Sequence, residues 1–232
     1  MKRSLDIDVL FLDIGGVLLT NGWDRATRQR AAEKFGLDLE EMNERHHLTF
    51  DTYERGLLSL DEYLRRVVFY RDRAFTPEQF KDYMFRQSQP IGDNIEVFKK
   101  IAGANGLRVG SINNEGRELA IHRIREFHLI ELIDFFITSS FVHFRKPDAD
   151  IFRLALDIAQ VPPERAVYVE DRLMFVEVAG DLGIRSIHHE SLEKTVGVLA
   201  NMGLETPAAG KSGRPARTRR TRARISVRVA RR

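Results

Sequence analysis

The sequence predicts an α/β fold: a mainly parallel sheet with helices on both faces, plus a small helical cap inserted after strand one. Two observations predict it. From residue 91 onward, short apolar runs alternate with helical segments, as in parallel sheets joined by helical crossovers. Between residues 20 and 90 only helical periodicity is present, so this segment adds no strand to the sheet. The core is therefore expected to be Rossmann-like.

The first half of the chain holds one strand and then helices. Residues 9–12 (VLFL) form a continuous apolar run before Asp13 and two glycines, which is typical of a buried strand ending in a tight loop. Glycines then end the helices, and capping-box pairs such as Ser59 with Glu62 begin them. The helices expected in the insertion are 24–35, 39–55, 59–70 and one opened by Thr76-Pro77.

After Pro90 strands and helices alternate along the chain. The expected strands are 107–112, 135–139, 167–169 and 184–188, and the expected helices are 94–104, 115–127, 150–160, 173–182 and 192–202. The predicted domains are a core of residues 1–17 and 91–205, a cap of residues 18–90, and a disordered basic tail of residues 206–232.

The charge is unevenly distributed along the chain. The 37 basic and 34 acidic side chains give a formal charge of +3, but residues 211–232 hold ten basic side chains and no acidic one. Removing those ten leaves 27 basic against 34 acidic side chains, a net charge of −7 over residues 1–210. The tail could contact nucleic acid weakly and non-specifically through counterion release, since it carries no aromatic side chain to stack on bases.

Composition excludes several classes of protein and site. The chain has no cysteine, which excludes disulfides, thiolate metal sites and a cysteine nucleophile. No apolar run approaches the roughly 20 residues that cross a bilayer. The start of the chain lacks the apolar stretch of a signal peptide. These features favour a cytoplasmic globular protein.

Polar side chains cluster at the predicted strand ends. In an open parallel sheet, ligands bind at the carboxyl ends of the strands, near a topological switch point. Carboxylates with few nitrogen ligands favour Mg²⁺, and a lysine beside them suits a phosphoryl group. The side chains expected to converge there are Asp13, Asn113, Asn114, Lys146, Glu170 and Asp171.

Four segments in this order resemble the haloacid dehalogenase-like (HAD) superfamily of hydrolases. The matching text is FLDIGGVL (11–18), VGSINNEGREL (109–119), FRKPDADIFRLAL (144–156) and VYVEDRLMFVEVAGDLGI (167–184). The resemblance covers about residues 7–202 and includes a helical cap after strand one. It is strongest to phosphatase-like members whose first motif reads Asp-x-Gly, such as sugar-1-phosphate phosphatases.

The resemblance implies a catalytic and metal-binding role for five residues. Asp13 would be the nucleophile, forming an aspartyl-phosphate, and also a Mg²⁺ ligand. Gly15 would give its backbone carbonyl to the metal, and the acids Glu170 and Asp171 would complete the site. Lys146 would offset the charge of the phosphate and the nucleophile together.

The second motif and the glycine loop supply the substrate contacts that the resemblance implies. Asn113 would hold the phosphoryl oxygens as a catalytic residue, and an amide can donate to a phosphate oxygen. Asn114 and Gly16 are expected beside it as further substrate contacts.

The chain departs from the family pattern at three positions. Family phosphatases usually carry a second Asp, a general acid and base worth roughly 10²–10⁴ in rate, where this chain has Gly15. The usual Ser or Thr of the second motif is Asn113, and Phe175 replaces an acid or amide near the metal site. His46 and His47 in the cap are the available substitutes for the missing acid.

Three functions remain open from the sequence. The first is a Mg²⁺-dependent phosphomonoesterase that acts on a small phosphorylated metabolite. The second is a HAD-fold binding or regulatory protein with weakened turnover, which the three departures favour. The third is a haloacid dehalogenase, ranked last because Glu170 and Asp171 beside Asp13 are a poor environment for an anionic haloacid.

Overall fold

The computed structural model describes residues 6–207. Within them, five parallel strands form one sheet, and their order across it is β3-β2-β1-β4-β5. The strands are β1 (Val9–Leu12), β2 (Arg108–Asn113), β3 (Phe135–Thr138), β4 (Ala166–Glu170) and β5 (Arg185–His188). The chain builds outward from β1 to β3 and then crosses back to β4, which makes the end of β1 the topological switch point.

β1 is the centre of the hydrophobic core. All four of its residues are fully buried. Leu10 and Leu12 pack into the apolar cluster on one face of the sheet, while Val9 and Phe11 pack into the cluster on the other face. A parallel strand covered on both faces needs apolar side chains at every position, which is why its sequence does not alternate.

Helices cover both faces of the sheet, and the predicted α/β fold class is confirmed. The core helices are α6 (Asn94–Asn105), α7 (Arg117–Glu126), α8 (Ser139–Val142), α9 (Ala149–Ala159), α10 (Leu173–Asp181) and α11 (Leu192–Asn201), with 3₁₀ turns at Leu129–Glu131 and Pro163–Arg165. The cap helices are α1 (Arg25–Phe35), α2 (Leu39–His47), α3 (Phe50–Glu54), α4 (Leu60–Val67) and α5 (Pro77–Phe85).

The cap has an apolar core of its own. Tyr63, Leu64, Phe80 and Met84 are buried in it, each at 1% exposure or less. The expected capping box, Ser59 with Glu62, is formed at the start of α4, and Thr76 with Gln79 forms a second one at the start of α5. The cap leaves and rejoins the sheet through two adjacent segments, because Leu19 pairs with Pro90 and Thr20 N–H donates to the Gln89 carbonyl.

Two local elements differ from the sequence-based expectation. The single helix expected over 39–55 is broken into α2 and α3, since the Thr49 hydroxyl donates to the Arg45 carbonyl at 2.7 Å and so competes with the helical backbone. The short helix α8 was not expected. It follows β3 directly, and it forms the surface on which the cap rests.

The end of α3 is fixed to α8 by polar contacts. The Ser139 hydroxyl donates to the Glu54 carbonyl at 2.7 Å, and His143 Nδ1 lies 2.7 Å from the Arg55 carbonyl. Gly56 has a φ of +69°, and a Cβ placed on it would lie 2.3 Å from the Ser140 carbonyl oxygen. The backbone therefore passes close to α8 because residue 56 has no side chain.

Within residues 6–207, no helix combines the length and the apolar character that a bilayer crossing needs. The tail lies almost entirely outside this range, from residue 208 onward. Its expected disorder, and its expected contact with nucleic acid through residues 211–232, stay predictions.

Gly56→Ala and Gly36→Ala form a matched pair that isolates the steric part of this cap–core contact. Both residues have positive φ, but a Cβ at Gly36 meets nothing within 4 Å. We expect Gly36→Ala to lower the free energy of unfolding by about 1–2 kcal/mol through backbone strain alone. Gly56→Ala should lose a further ~1–3 kcal/mol through overpacking. Urea denaturation measures both, and equal losses would contradict the close approach to α8.

Candidate active site at the carboxyl ends of the strands

Asp13 follows β1 at the switch point of the sheet. Its backbone N–H donates to the Val169 carbonyl on β4 at 2.9 Å. The hydrogen bonding between β1 and β4 therefore continues to Asp13, one residue beyond the end of β1. The side chain is 8% exposed and lies at the bottom of a cavity. The sheet therefore holds this carboxylate in a fixed place.

Lys146 is a buried ammonium that joins three strands. Its Nζ lies 3.1 Å from Asp13 Oδ1 and 2.6 Å from Glu170 Oε2. It also donates to the Ile112 carbonyl at 2.9 Å and lies 3.1 Å from the Tyr168 hydroxyl. The lysine is 1% exposed, so its charge depends on these partners rather than on water.

The two carboxylates beside Lys146 have pKa values shifted in opposite directions. Burial, reinforced by Glu170 and Asp171, raises the pKa of Asp13 to about 8 despite the lysine. Burial also opposes ionisation of Glu170, but Lys146 and hydrogen bonds hold its pKa below the usual value. The pKa of Lys146 itself is raised, because the attraction of Asp13 and Glu170 exceeds the effect of burial. Burial and Glu170 raise the pKa of Asp171 to about 6.

Asp13, Glu170 and Asp171 form a carboxylate cluster of the kind that holds a hard divalent cation. One oxygen from each lies within 4.8 Å of the others. Asp171 Oδ1 is buried and has no hydrogen-bond partner within residues 6–207. An all-oxygen donor set with an orphaned buried carboxylate oxygen fits Mg²⁺. That these three residues are ligands, with the Gly15 carbonyl as a fourth, stays a prediction.

Glycines at 15 and 16 leave room for two polar side chains. Gly16 has a φ of +78°, and a Cβ there would lie 2.1 Å from Asp171 Oδ2. Asp171 can therefore approach the backbone here because residue 16 has no side chain. The Gly16 N–H already donates to the Leu19 carbonyl at 2.7 Å. The expected contact of Gly16 with substrate stays a prediction. A Cβ at Gly15 would lie 2.8 Å from Asn21 Oδ1, so the Asn21 amide occupies the space of the missing side chain.

Asn113 and Asn114 have different surroundings. Asn113 Oδ1 accepts the Thr138 hydroxyl at 3.0 Å, while its buried Nδ2 has no partner within residues 6–207. That donor is suited to a phosphoryl oxygen. Asn114 bonds the Lys146 backbone in both directions, at 2.8 Å each, and so fixes the lysine loop. The two asparagines line the same cavity as Asp13.

The cavity of about 290 Å³ lies between the strand ends and the cap. The cap contributes Trp23, Arg28 and His46 to its wall. Of the two histidines considered as acid–base substitutes, His47 is outside this wall. Burial, with Arg28 and His47, lowers the pKa of His46 to about 3, so it is neutral near pH 7. Phe175 also lines the cavity, with its ring centroid 5.1 Å from Lys146 Nζ.

Several residues of this wall were not expected from the sequence. They include Asn21, Arg28, the buried pair of Arg123 with Glu115 at 2.8 Å, and the pair of Arg145 with Glu54 at 2.7 Å. One sequence signal was available for Arg28. It stands four and seven residues before Ala32 and Phe35, on the inward face of α1, where a charged side chain is rare.

A model of the family described as haloacid dehalogenase-like hydrolase matches residues 7–183. The chain is 24% identical over 194 residues to a phosphorylated carbohydrates phosphatase of Thermotoga maritima, covering 78% of this chain and 84% of that protein. It is 27% identical over 219 residues to a drimenol cyclase of Aspergillus calidoustus, covering 89% of this chain but only 40% of the cyclase.

Solved structures show the same fold. A HAD family enzyme of Bacteroides thetaiotaomicron, in complex with magnesium and inorganic phosphate, superposes with a TM-score of 0.69. The match has 19% identity and covers 82% of this chain and 98% of that chain.

Asp13→Asn should stabilise the protein in the presence of EDTA, increasingly so as pH rises. The folded pKa of Asp13, about 8, lies above its unfolded value of 3.8, so between these pH values only the folded state holds the proton, and the stability of the wild type falls as pH rises until it levels off above pH 8. The ionised carboxylate then repels Glu170 and Asp171, which asparagine does not. We expect a gain of at least about 1.4 kcal/mol at pH 9, the equivalent of one pKa unit, and little gain at pH 4. Thermal melting at both values measures this, and a gain that falls with pH would contradict the charge repulsion.

Proposed function

The chain belongs to the haloacid dehalogenase-like hydrolase family, and from this premise we propose that it is a Mg²⁺-dependent phosphomonoesterase acting on a small phosphorylated metabolite. One observation carries the proposal: the Lys146 ammonium lies between Asp13 and Glu170, with Asp171 beside them, and Asp13 and Lys146 line a polar cavity. A fixed cation beside a carboxylate nucleophile suits a dianionic phosphoryl group.

Asp13 is the nucleophile in this proposal. Its free carboxylate oxygen forms a bond to phosphorus while the ester P–O bond breaks, which gives an aspartyl-phosphate and an alcohol that takes its proton from water. Water then bonds to phosphorus and gives a proton to the hydroxide that the first step left in solution, while the acyl-phosphate P–O bond breaks and Asp13 regains its electron pair. Lys146 offsets the charge of both steps, and Asn113 Nδ2 donates to a phosphoryl oxygen.

Asp13, Glu170 and Asp171 would hold the metal. When bound, Mg²⁺ would favour the ionised carboxylates and neutralise charge on the phosphoryl oxygens. The raised pKa values of Asp13 and Asp171 make this assistance necessary at neutral pH, since otherwise the nucleophile is mostly protonated.

One relative and one structural neighbour support a phosphatase. One relative is named as a phosphatase of phosphorylated carbohydrates, and one structural neighbour holds magnesium and phosphate. A dehalogenase is disfavoured because Glu170 and Asp171 place further negative charge beside Asp13, which an anionic haloacid would have to approach. A binding protein with weak turnover is favoured by the three departures from the family pattern, at Gly15, Asn113 and Phe175. The cytoplasmic location stays a prediction.

Asp13→Asn should abolish phosphate release from p-nitrophenyl phosphate, and Lys146→Met should lower kcat by at least about 10²-fold because the charge on the transferring phosphoryl group is no longer offset. EDTA should remove activity, and Mg²⁺ should restore it. Glu190→Gln, an exposed acid outside the cavity, is the matched control. Wild-type activity in Asp13→Asn would overturn the mechanism. Binding of beryllium fluoride with Mg²⁺ but without turnover would instead identify a binding protein. Hydrolysis of a haloacid that resists EDTA would identify a dehalogenase.

Turnover should depend steeply on the leaving group, because Asn21 lies where an acid side chain at position 15 would extend. We expect kcat/KM for p-nitrophenyl phosphate to exceed that for ethyl phosphate by at least about 10²-fold, the usual value of general acid help. Gly15→Asp combined with Asn21→Gly, which clears the space, should reduce this ratio, whereas Asn21→Gly alone should not. Equal kcat/KM for both substrates in wild type would indicate that another residue already serves as the acid.

A further inference from the structure

Arg28 is a buried cation in the cavity wall that has no carboxylate of its own. The side chain is 8% exposed and belongs to α1 in the cap. Its Nε donates to Asn43 Oδ1 and its Nη1 donates to the Trp23 carbonyl, each at 2.9 Å. Both acceptors are neutral. Within residues 6–207 its Nη2 donates to no protein group, although the residue lines the cavity.

The acids near Arg28 are engaged by other donors. Asp24 caps α1 by accepting from the Thr27 backbone N–H at 2.8 Å. Glu54 lies 2.7 Å from Arg145 Nη2. Arg28 therefore differs from the other buried cations of the wall, which are paired with carboxylates. A buried charge without an opposite charge is costly, so this arrangement is explained if a ligand supplies the anion.

His46 adds a donor on the same wall. The Tyr63 hydroxyl lies 2.8 Å from Trp23 Nε1 and 2.8 Å from His46 Nδ1. The indole N–H can only donate, so Tyr63 accepts from Trp23. Within residues 6–207 the buried Tyr63 hydroxyl has no acceptor other than His46 Nδ1, so we assign its O–H as the donor to that nitrogen. The neutral imidazole then carries its hydrogen on Nε2. The cap wall thus offers a guanidinium and an N–H group, both of which bind oxygen acceptors.

We propose that Arg28, assisted by His46, binds a second anionic group of the substrate, so that the preferred substrates are small phosphate monoesters bearing a carboxylate or a second phosphoryl group. The inference rests on the proposed function, which assigns the phosphoryl group under hydrolysis to the strand ends. The cap end of the same cavity receives the other anion. A volume of about 290 Å³ limits the substrate to a small molecule.

Two substrate pairs separate the two kinds of anion. Phosphoglycolate against ethyl phosphate tests a carboxylate, and glucose 1,6-bisphosphate against glucose 1-phosphate tests a second phosphoryl group. In wild type we expect kcat/KM to favour the doubly anionic member of at least one pair by about tenfold or more. Arg28→Gln should reduce that preference about tenfold to hundredfold, mainly through KM, whereas Arg28→Lys should keep part of it.

Arg30→Gln is the matched control. Arg30 is exposed on the same helix, outside the cavity wall, and should keep the wild-type preference. Thermal melting identifies any variant that fails to fold, and Arg28→Lys retains the charge if Arg28→Gln does fail. Hydrolysis without any preference for a doubly anionic substrate, or a preference unchanged in Arg28→Gln, overturns the second-anion site while the phosphomonoesterase proposal stands.

A binding measurement tests the same site without turnover. Calorimetry in the presence of Mg²⁺ compares phosphonoacetate, which carries a carboxylate, and methylenediphosphonate, which carries a second phosphonate, with ethylphosphonate, which carries neither. We expect at least one of the first two to bind about tenfold more tightly than ethylphosphonate, and this advantage to be lost in Arg28→Gln. If that holds while no phosphate ester is hydrolysed, the second-anion site stands and the phosphomonoesterase proposal fails. Equal affinities in wild type overturn the site.

Discussion

The site depends on one buried ammonium. Lys146 lies between two buried carboxylates, where it holds the pKa of Glu170 below its usual value and opposes the rise in the pKa of Asp13, and it does so from a loop that Asn114 holds through the lysine backbone. Because the same nitrogen also donates to the Ile112 carbonyl, it connects β2 to the ends of β1 and β4. These groups lie within reach of one side chain because β2, β1 and β4 are adjacent in the sheet. The ion pairs of Lys146 therefore depend on the strand order.

The charged groups of the cavity come from two parts of the molecule, the strand ends of the sheet and the cap. The sheet edge carries the groups that would act on phosphorus, and their positions are set by backbone pairing. The cap carries Trp23, Arg28, His46 and Tyr63, and their positions are set by packing among the cap helices. Chemistry and selection thus rest on separate sets of contacts, joined at the cavity.

The sequence was sufficient for features that depend on neighbours along the chain. The apolar run of β1, the capping boxes of α4 and α5, and the polar residues that end the strands all follow from local rules. It was insufficient where distant segments meet. The Glu54–Arg145 pair spans 91 positions, and the approach of Asn21 to Gly15 depends on how the chain turns into the cap. Arg28 could be noticed from the sequence as a charged residue on the inward face of a helix. That it lines the cavity is seen only in the structure.

The paired segments at Leu19 and Pro90 have a consequence for how such a molecule can vary. An insertion whose two ends lie side by side imposes no distance constraint on the sheet, so the intervening helices behave topologically as one long surface loop. Their number and packing can change without moving Asp13 or Lys146. The cap is thus an exchangeable module: a different set of helices between these two points could present another wall to the same side chains at the strand ends.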